Sequence, residues 1–134
     1  MTAKHKNSSN APGFPATLGG FITPPAVWAF YFVFIYSFHG VACTDALAGE
    51  IGGLELVPVA VLLASAAALA VHVTVGFWSW RLWRKIKAEM NPTEDAEPTG
   101  QAHFLAYAAA LNAAFFALAT IWIGAPTFLL QPCQ

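Results

Sequence analysis

Charged side chains are scarce in this sequence, and their scarcity argues against an ordinary soluble domain. Lysine, arginine, aspartate and glutamate together make up 10% of the 134 residues, whereas they form about a quarter of a soluble globular protein. Hydrophobic residues make up 57%. The few basic residues flank apolar segments and form no patch, so no nucleic-acid partner is expected. The composition predicts one small helical bundle in a membrane, without a folded soluble domain.

Motifs of the common soluble enzymes are also missing. The sequence contains no nucleotide-binding loop, no HExxH helix, no nucleophile elbow and no Ser/His/Asp arrangement. We therefore predict that the protein is not an enzyme and has no catalytic residues.

The longest uncharged stretch runs from Leu56 to Trp80 and predicts a membrane-spanning helix. As a helix it would extend about 37 Å, enough to cross a hydrocarbon core of about 30 Å with some tilt. Tryptophan is interleaved with the basic residues that follow, a pattern typical of a membrane interface. These basic residues are Arg81, Arg84, Lys85 and Lys87.

Two further apolar segments complete the predicted fold, an all-α membrane protein with a bundle of three transmembrane helices. Thr23 is the expected N-cap of the first helix, with Pro24 and Pro25 in its first turn. The predicted division is a flexible cytoplasmic tail (1–22), TM helix 1 (23–42), an outer loop (43–55), TM helix 2 (56–82), a cytoplasmic loop (83–102), TM helix 3 (103–125) and an outer tail (126–134).

The basic residues predict the orientation of the bundle. All six lie either at Lys4 and Lys6 or between Arg81 and Lys87. Since lysine and arginine collect on the cytoplasmic side, the N-terminus is predicted inside and the C-terminus in the periplasm. A competing interpretation makes the first span a leader cleaved before Cys43, but the position three residues upstream of that cysteine is Gly40, where a large aliphatic residue is usual.

Small residues recur along one face of the second and third spans and predict close helix packing. Helices in lipid associate without a hydrophobic drive, so small side chains are needed to let their backbones approach. The first span is rich in aromatic residues instead, which would face lipid or a partner subunit. The predicted packing positions are Ala60, Ala64, Ala68, Gly76, Ala109, Ala113 and Ala117.

Three polar residues are predicted to lie at a similar depth and to form an intramembrane cluster: Tyr36, His72 and Asn112. The favoured interpretation is an interhelical hydrogen bond that holds the bundle together. The alternatives are a proton relay and a haem-iron ligand. Because no two histidines match in depth, no cofactor is expected to be bound by this chain alone. Copper or haem bound by a partner subunit is left as an alternative.

The two cysteines, Cys43 and Cys133, are both predicted on the outer face of the membrane. Disulfides persist in that oxidising compartment, so a Cys43–Cys133 bridge is the favoured interpretation. Unpaired thiols are one alternative. The other is a metal site for Cu(I) formed by His39, Cys43 and Cys133, since thiolate and imidazole suit that ion.

A pattern of residues at the ends of the first and third spans is similar to that of a known group of proteins. In the first span the pattern consists of Trp28, Tyr36, His39 and Ala42-Cys43. In the C-terminal tail it consists of Pro126, Phe128-Leu129-Leu130 and Pro132-Cys133. It resembles small three-span membrane proteins of unassigned role encoded with bacterial caa3-type cytochrome c oxidase genes. The resemblance implies an accessory or assembly role beside a terminal oxidase, in the bacterial inner (cytoplasmic) membrane as a multi-pass protein.

Three functions follow as hypotheses. The first is a small non-catalytic accessory subunit or assembly factor of a respiratory, electron-transfer complex, whose partners are the lipid bilayer and other membrane subunits. The alternative is a membrane protein that handles copper or thiol redox chemistry on the outer face. The third is a small oligomeric transporter, for which three spans without charged residues leave little to build a pathway.

Overall fold

Three long helices make up most of the computed structural model, which describes residues 14–42, 50–51, 54–89 and 97–126. Helix α1 is Phe14–Ala42, α2 is Leu56–Glu89 and α3 is Glu97–Gly124. Each contains a segment long and apolar enough to cross a membrane: Ala16–Val41, Leu56–Ala88 and Gly100–Gly124. The prediction of a helical bundle with three transmembrane helices is confirmed. The chain is a multi-pass membrane protein in contact with lipid.

Between α1 and α2 lie two short strands, β1 (Glu50–Ile51) and β2 (Leu54–Glu55). They pair antiparallel, with Glu50 opposite Glu55 and Ile51 opposite Leu54. Since β2 ends at the residue before α2, this pair leads the chain directly into the second helix.

Helix α1 begins nine residues earlier than predicted, at Phe14 instead of Thr23. The flexible tail predicted for 1–22 is therefore wrong for residues 14–22, and residues 1–13 lie outside the described part of the chain. Thr23 is not an N-cap, because its hydroxyl donates to the carbonyl oxygen of Gly19 at 2.7 Å, one helical turn back. Pro24 and Pro25 lie inside the helix. Membrane helices tolerate internal proline when neighbouring groups satisfy the freed carbonyls.

The other two helices also extend beyond their predicted spans. Helix α2 continues to Glu89, past the predicted end at 82, and α3 begins at Glu97, ahead of the predicted start at 103. Hydropathy locates the apolar segment, whereas lysine, arginine and glutamate are good helix formers that prolong the helix into the interface. Pro98 stands in the first turn of α3, where a missing N–H is tolerated.

Helices α1 and α3 run parallel, and α2 runs antiparallel to both. A Cβ built on Gly20 would lie 4.0 Å from the Cβ of Ala109, whereas one built on Gly124 would lie 3.3 Å from the hydroxyl of Tyr31. Residues later in α1 thus meet residues later in α3. The core has two clusters of buried residues, Tyr31, Ile35, Val61 and Ala68 towards one end and Leu82, Ile86 and Ala106 towards the other.

Small residues form the seam between α2 and α3. A Cβ on Gly76 would lie 3.3 Å from the Cβ of Ala113, so the two backbones approach closely there. Ala68, Ala109 and Ala113 are buried, and Ala64 packs against the cluster around Tyr31. Ala60 and Ala117 are half-buried. The predicted packing positions are therefore used largely inside the bundle.

Candidate functional site

His72 lies at the centre of the bundle, and no described residue forms a hydrogen bond with its side chain. It is the middle residue of the span Leu56–Ala88 and is only 1% exposed. Both ring nitrogens are buried and unpaired. The interhelical hydrogen bond expected for His72 is therefore not formed among the described residues. Its imidazole is enclosed by the chain's own helices.

Trp28 of α1 and His72 of α2 pack against the same ring of α3. The Trp28 ring lies 5.5 Å from the Phe116 ring, and the His72 ring lies 6.4 Å from it. Trp28 Nε1 is likewise buried and unpaired. We call these three residues the central layer. A neutral imidazole offers one donor and one acceptor and an indole one donor, so this layer holds two donors and an acceptor that no described residue uses.

Asn112 has a structural partner that its sequence position did not reveal. Its Nδ2 donates to the backbone carbonyl oxygen of Phe21 on α1 at 2.9 Å. In a regular helix that carbonyl would accept the N–H of residue 25, but Pro25 has none. The side chain from α3 thus replaces the backbone bond that Pro25 removes. The sequence does indicate the acceptor, because a proline inside a helix leaves the carbonyl four residues earlier without its backbone donor. It does not indicate that Asn112 is the donor.

Tyr36 is not brought together with His72 and Asn112. The contacts of Trp28 with Phe116 and of Phe21 with Asn112 set the alignment of α1 on α3. Tyr36 is fifteen residues beyond Phe21 in the sequence, which puts it roughly 22 Å from the depth of Asn112 along the helix. It is eight residues beyond Trp28, which puts it roughly 12 Å from the depth of His72. It is 63% exposed. The predicted depth was counted from Pro25 as the start of the helix, and the earlier start of α1 accounts for the discrepancy.

Tyr31 makes the buried tyrosine contact instead. Its hydroxyl shares a hydrogen bond of 2.8 Å with the hydroxyl of Ser65 on α2. Gly124 of α3 lies against both groups, since a Cβ there would be 3.1 Å from Ser65 Oγ and 3.3 Å from the Tyr31 hydroxyl. All three helices therefore meet at this point. Sequence reasoning missed it because Tyr31 stands among aromatic residues that offered no distinguishing spacing.

A cleft of about 440 Å³ opens between α1 and α3 near Pro126. Its lining includes Tyr36, His39 and Trp122. His39 Nδ1 lies 3.2 Å from the carbonyl oxygen of Ile35. Because a carbonyl only accepts, Nδ1 carries the hydrogen, and in the neutral ring Nε2 keeps its lone pair. His39 thus has one nitrogen available for a ligand or a hydrogen-bond donor.

The predicted partners of His39 cannot be placed beside this cleft, because Cys43 and Cys133 lie outside the described residues. Neither the disulfide nor the copper site is therefore located by the structure. Within the described ranges, no three His, Cys, Asp or Glu side chains are grouped so that they could hold a metal ion.

Helix α1 carries two ladders of aromatic rings. Trp28, Phe32 and Tyr36 follow one another with ring separations of 5.3 and 4.4 Å. Phe34 and Phe38 are stacked at 5.6 Å with an angle of 14° between their planes. Phe30 and Phe34 are exposed on the same side of α1, and we call these two residues the aromatic face of α1.

Comparison of the chain with protein-family models, with curated proteins and with solved structures finds no match.

Proposed function

We propose that this protein is a small non-catalytic accessory subunit or assembly factor of an electron-transfer complex in a bacterial inner membrane. The sequence resemblance favours a terminal oxidase as that complex. The observation that carries the proposal is the aromatic face of α1. Phe30 is 79% exposed and Phe34 46% exposed, although α1 buries the ring of Tyr31 between them in the sequence.

The aromatic face is suited to bind another membrane helix. Aromatic rings are rigid, so they lose little conformational entropy on docking, and they are enriched at protein interfaces. The small-residue stripes were candidate docking surfaces too, but they pack within the bundle. The proposal therefore rests on α1.

The interior of the bundle supports a non-catalytic role. Several of its polar side chains bond backbone carbonyls: Asn112 donates to the carbonyl oxygen of Phe21 on another helix, and Thr120 donates to that of Phe116 one turn back. No charged residue occurs from Leu56 to Trp80. Membrane transporters and pumps build their pathways from such charged groups, so a transport function is less well supported.

The test is co-purification of the tagged, full-length protein in a mild detergent, with mass spectrometry of what accompanies it. Wild-type protein is expected to bring down stoichiometric electron-transfer subunits. Phe30→Ala is expected to lower their yield several-fold, since it removes a ring from the aromatic face. Phe115→Ala is the matched control, because Phe115 is 65% exposed at a similar depth on α3.

Two results would contradict the proposal. One is a protein that purifies alone or only as a homo-oligomer. The other is an equal loss of partners in Phe30→Ala and Phe115→Ala. That result would show that removing any exposed ring lowers the partner yield and that the aromatic face has no special role.

A second candidate function, copper or thiol handling on the outer face, is favoured by His39. His39 lines the cleft near Pro126, at the end of α1 that precedes Cys43. Its Nε2 keeps a lone pair that could bind a metal ion. Replacing both cysteines by serine separates the two functions. Loss of copper from the associated enzyme in that variant, with the partners still bound, supports the second function. Retention of copper with reduced stability supports a structural role for the cysteines.

A further inference from the structure

Three cationic side chains of α2 line one open cleft near its C-terminal end. Arg81, Arg84 and Lys85 contribute to it, together with Trp78, and its volume is about 570 Å³. That volume falls within the range of about 300–1,000 Å³ typical of small-molecule sites. All three cationic side chains are exposed. The cleft therefore concentrates positive charge at a point where the helix leaves the apolar segment.

Basic residues outnumber acidic ones along the helix that lines this cleft. Helix α2 carries four lysines and arginines but a single acidic residue, Glu89, at its last position. The guanidinium of Arg81 also lies 4.4 Å from the centre of the Phe77 ring, a cation–π contact that restricts it and leaves its N–H groups for other acceptors. An anionic ligand would supply the missing charge.

An apolar surface adjoins the cleft on its membrane side. Trp78 forms part of the lining, and a Cβ built on Gly20 of α1 would lie 3.6 Å from its ring. Phe77 and Trp80 beside it are exposed to the lipid. Positive groups at the interface with exposed rings next to them match a molecule that has an anionic head and hydrocarbon chains.

We propose that this cleft binds the phosphate head group of an anionic phospholipid, with the acyl chains against the exposed rings. Arginine guanidinium groups form paired, charge-assisted hydrogen bonds with phosphate, and basic pockets beside transmembrane helices bind anionic head groups. Arg84 and Lys85 hold the phosphate, and Arg81 contributes charge. The site is independent of the aromatic face of α1 and of any partner subunit.

The experiment is native mass spectrometry of the full-length protein after delipidation in detergent and titration with single lipids. Phosphatidylglycerol and cardiolipin are expected to bind saturably, at least tenfold more tightly than phosphatidylcholine. Since the contact is ionic, raising salt from about 0.05 M to about 0.5 M should weaken it strongly. Inorganic phosphate at the same concentration should not displace the lipid, because it lacks the acyl chains.

Lys87 provides a matched control on the same helix. Its ammonium group lies 5.0 Å from the centre of the Trp83 ring, and it does not line the cleft. Arg84→Gln and Lys85→Gln are each expected to weaken phosphatidylglycerol about tenfold, the loss typical of one charge-assisted hydrogen bond. Lys87→Gln should change the affinity less than twofold. The salt titration of the wild-type protein tests the site without any variant that must fold.

Three results would overturn the proposal. Equal affinities for phosphatidylglycerol and phosphatidylcholine would show that no anionic head group is recognised. An equal effect of Lys87→Gln and Lys85→Gln would assign the binding to general surface charge. Displacement by inorganic phosphate would identify a soluble phosphate as the ligand and exclude the lipid.

Discussion

The hydrogen bond between Asn112 and the Phe21 carbonyl gives the sharpest test of the fold. Asn112 is the middle residue of the span Gly100–Gly124, where water is not available to a bare carbonyl. Side-chain hydrogen bonds between membrane helices contribute about 0.6 kcal/mol on average and at most about 1.7 kcal/mol. Because the acceptor here lost its own backbone donor to Pro25, we place this bond in the upper half of that range. Asn112→Leu is expected to lower the unfolding free energy by about 1–1.5 kcal/mol.

A double-mutant cycle with Pro25→Ala separates this mechanism from a general loss of packing. In the Pro25→Ala background, the restored N–H of residue 25 can bond the carbonyl of Phe21 within α1. The same Asn112→Leu substitution should then cost less than about 0.5 kcal/mol, which gives a coupling energy of about 1 kcal/mol. The Asn112→Leu substitution is the same in both backgrounds, so the free energy of burying the Asn112 amide cancels from the coupling energy.

Unfolding would be followed by titration with sodium dodecyl sulfate in mixed micelles, with far-ultraviolet circular dichroism reporting helix content. The fluorescence of the five tryptophans gives a second probe of the same transition. Agreement of the two probes licenses a two-state analysis. If Asn112→Leu destabilised the protein equally with and without Pro25, the amide would not be replacing the missing backbone donor, and the reasoning would be refuted.

Three further predictions use similar measurements. His72→Leu is expected to stabilise the bundle by about 1–2 kcal/mol in the same titration, because it removes an unpaired buried polar group; a destabilisation would reveal a partner for the imidazole. Gly124→Val should cost about 1–3 kcal/mol by forcing Tyr31 and Ser65 apart, whereas Gly40→Val, where no described residue lies within 4 Å of the added Cβ, should cost far less; equal losses would exclude the crowding mechanism. Reporter fusions should place the N-terminus in the cytoplasm and the C-terminus in the periplasm, and the reverse arrangement would contradict the orientation.

The three spans could be predicted because a bilayer imposes a simple physical requirement. A stretch such as Leu56–Trp80, without charge and long enough to cross the hydrocarbon, has few other structures open to it. The ends of the helices were less predictable. Hydropathy falls at the interface, but the backbone of α2 stays helical through its lysines and arginines to Glu89.

The start of α1 was mispredicted because proline usually marks the start of a helix in a soluble protein but is tolerated inside a membrane helix. Pro24 and Pro25 follow Thr23, a sequence that marks a helix start in a soluble protein. In the bundle, α1 passes through both prolines, and Asn112 from another helix compensates for one of them. A single sequence does not show which distant residue will do so.

The candidate site was affected by the same error. With α1 counted from Pro25, Tyr36 seemed level with His72, whereas contacts place it far from that depth. Asn112 was correctly singled out as an important polar residue, but its partner is a backbone carbonyl, which side-chain spacing cannot indicate. The isolation of His72 was equally invisible, because a missing partner becomes known only when all three helices are packed.

The bond from α3 to α1 also has a consequence for how the protein is made. Phe21 is synthesised 91 residues before Asn112, so its carbonyl enters the membrane long before its donor exists. The contact between Tyr31 and Ser65, by contrast, can form as soon as α2 has been inserted. The first helical hairpin can therefore close at the Tyr31 end while the Pro25 region of α1 still lacks its donor. Arrival of the last helix completes α1, and until then the nascent chain offers the insertion machinery an unpaired carbonyl to shield.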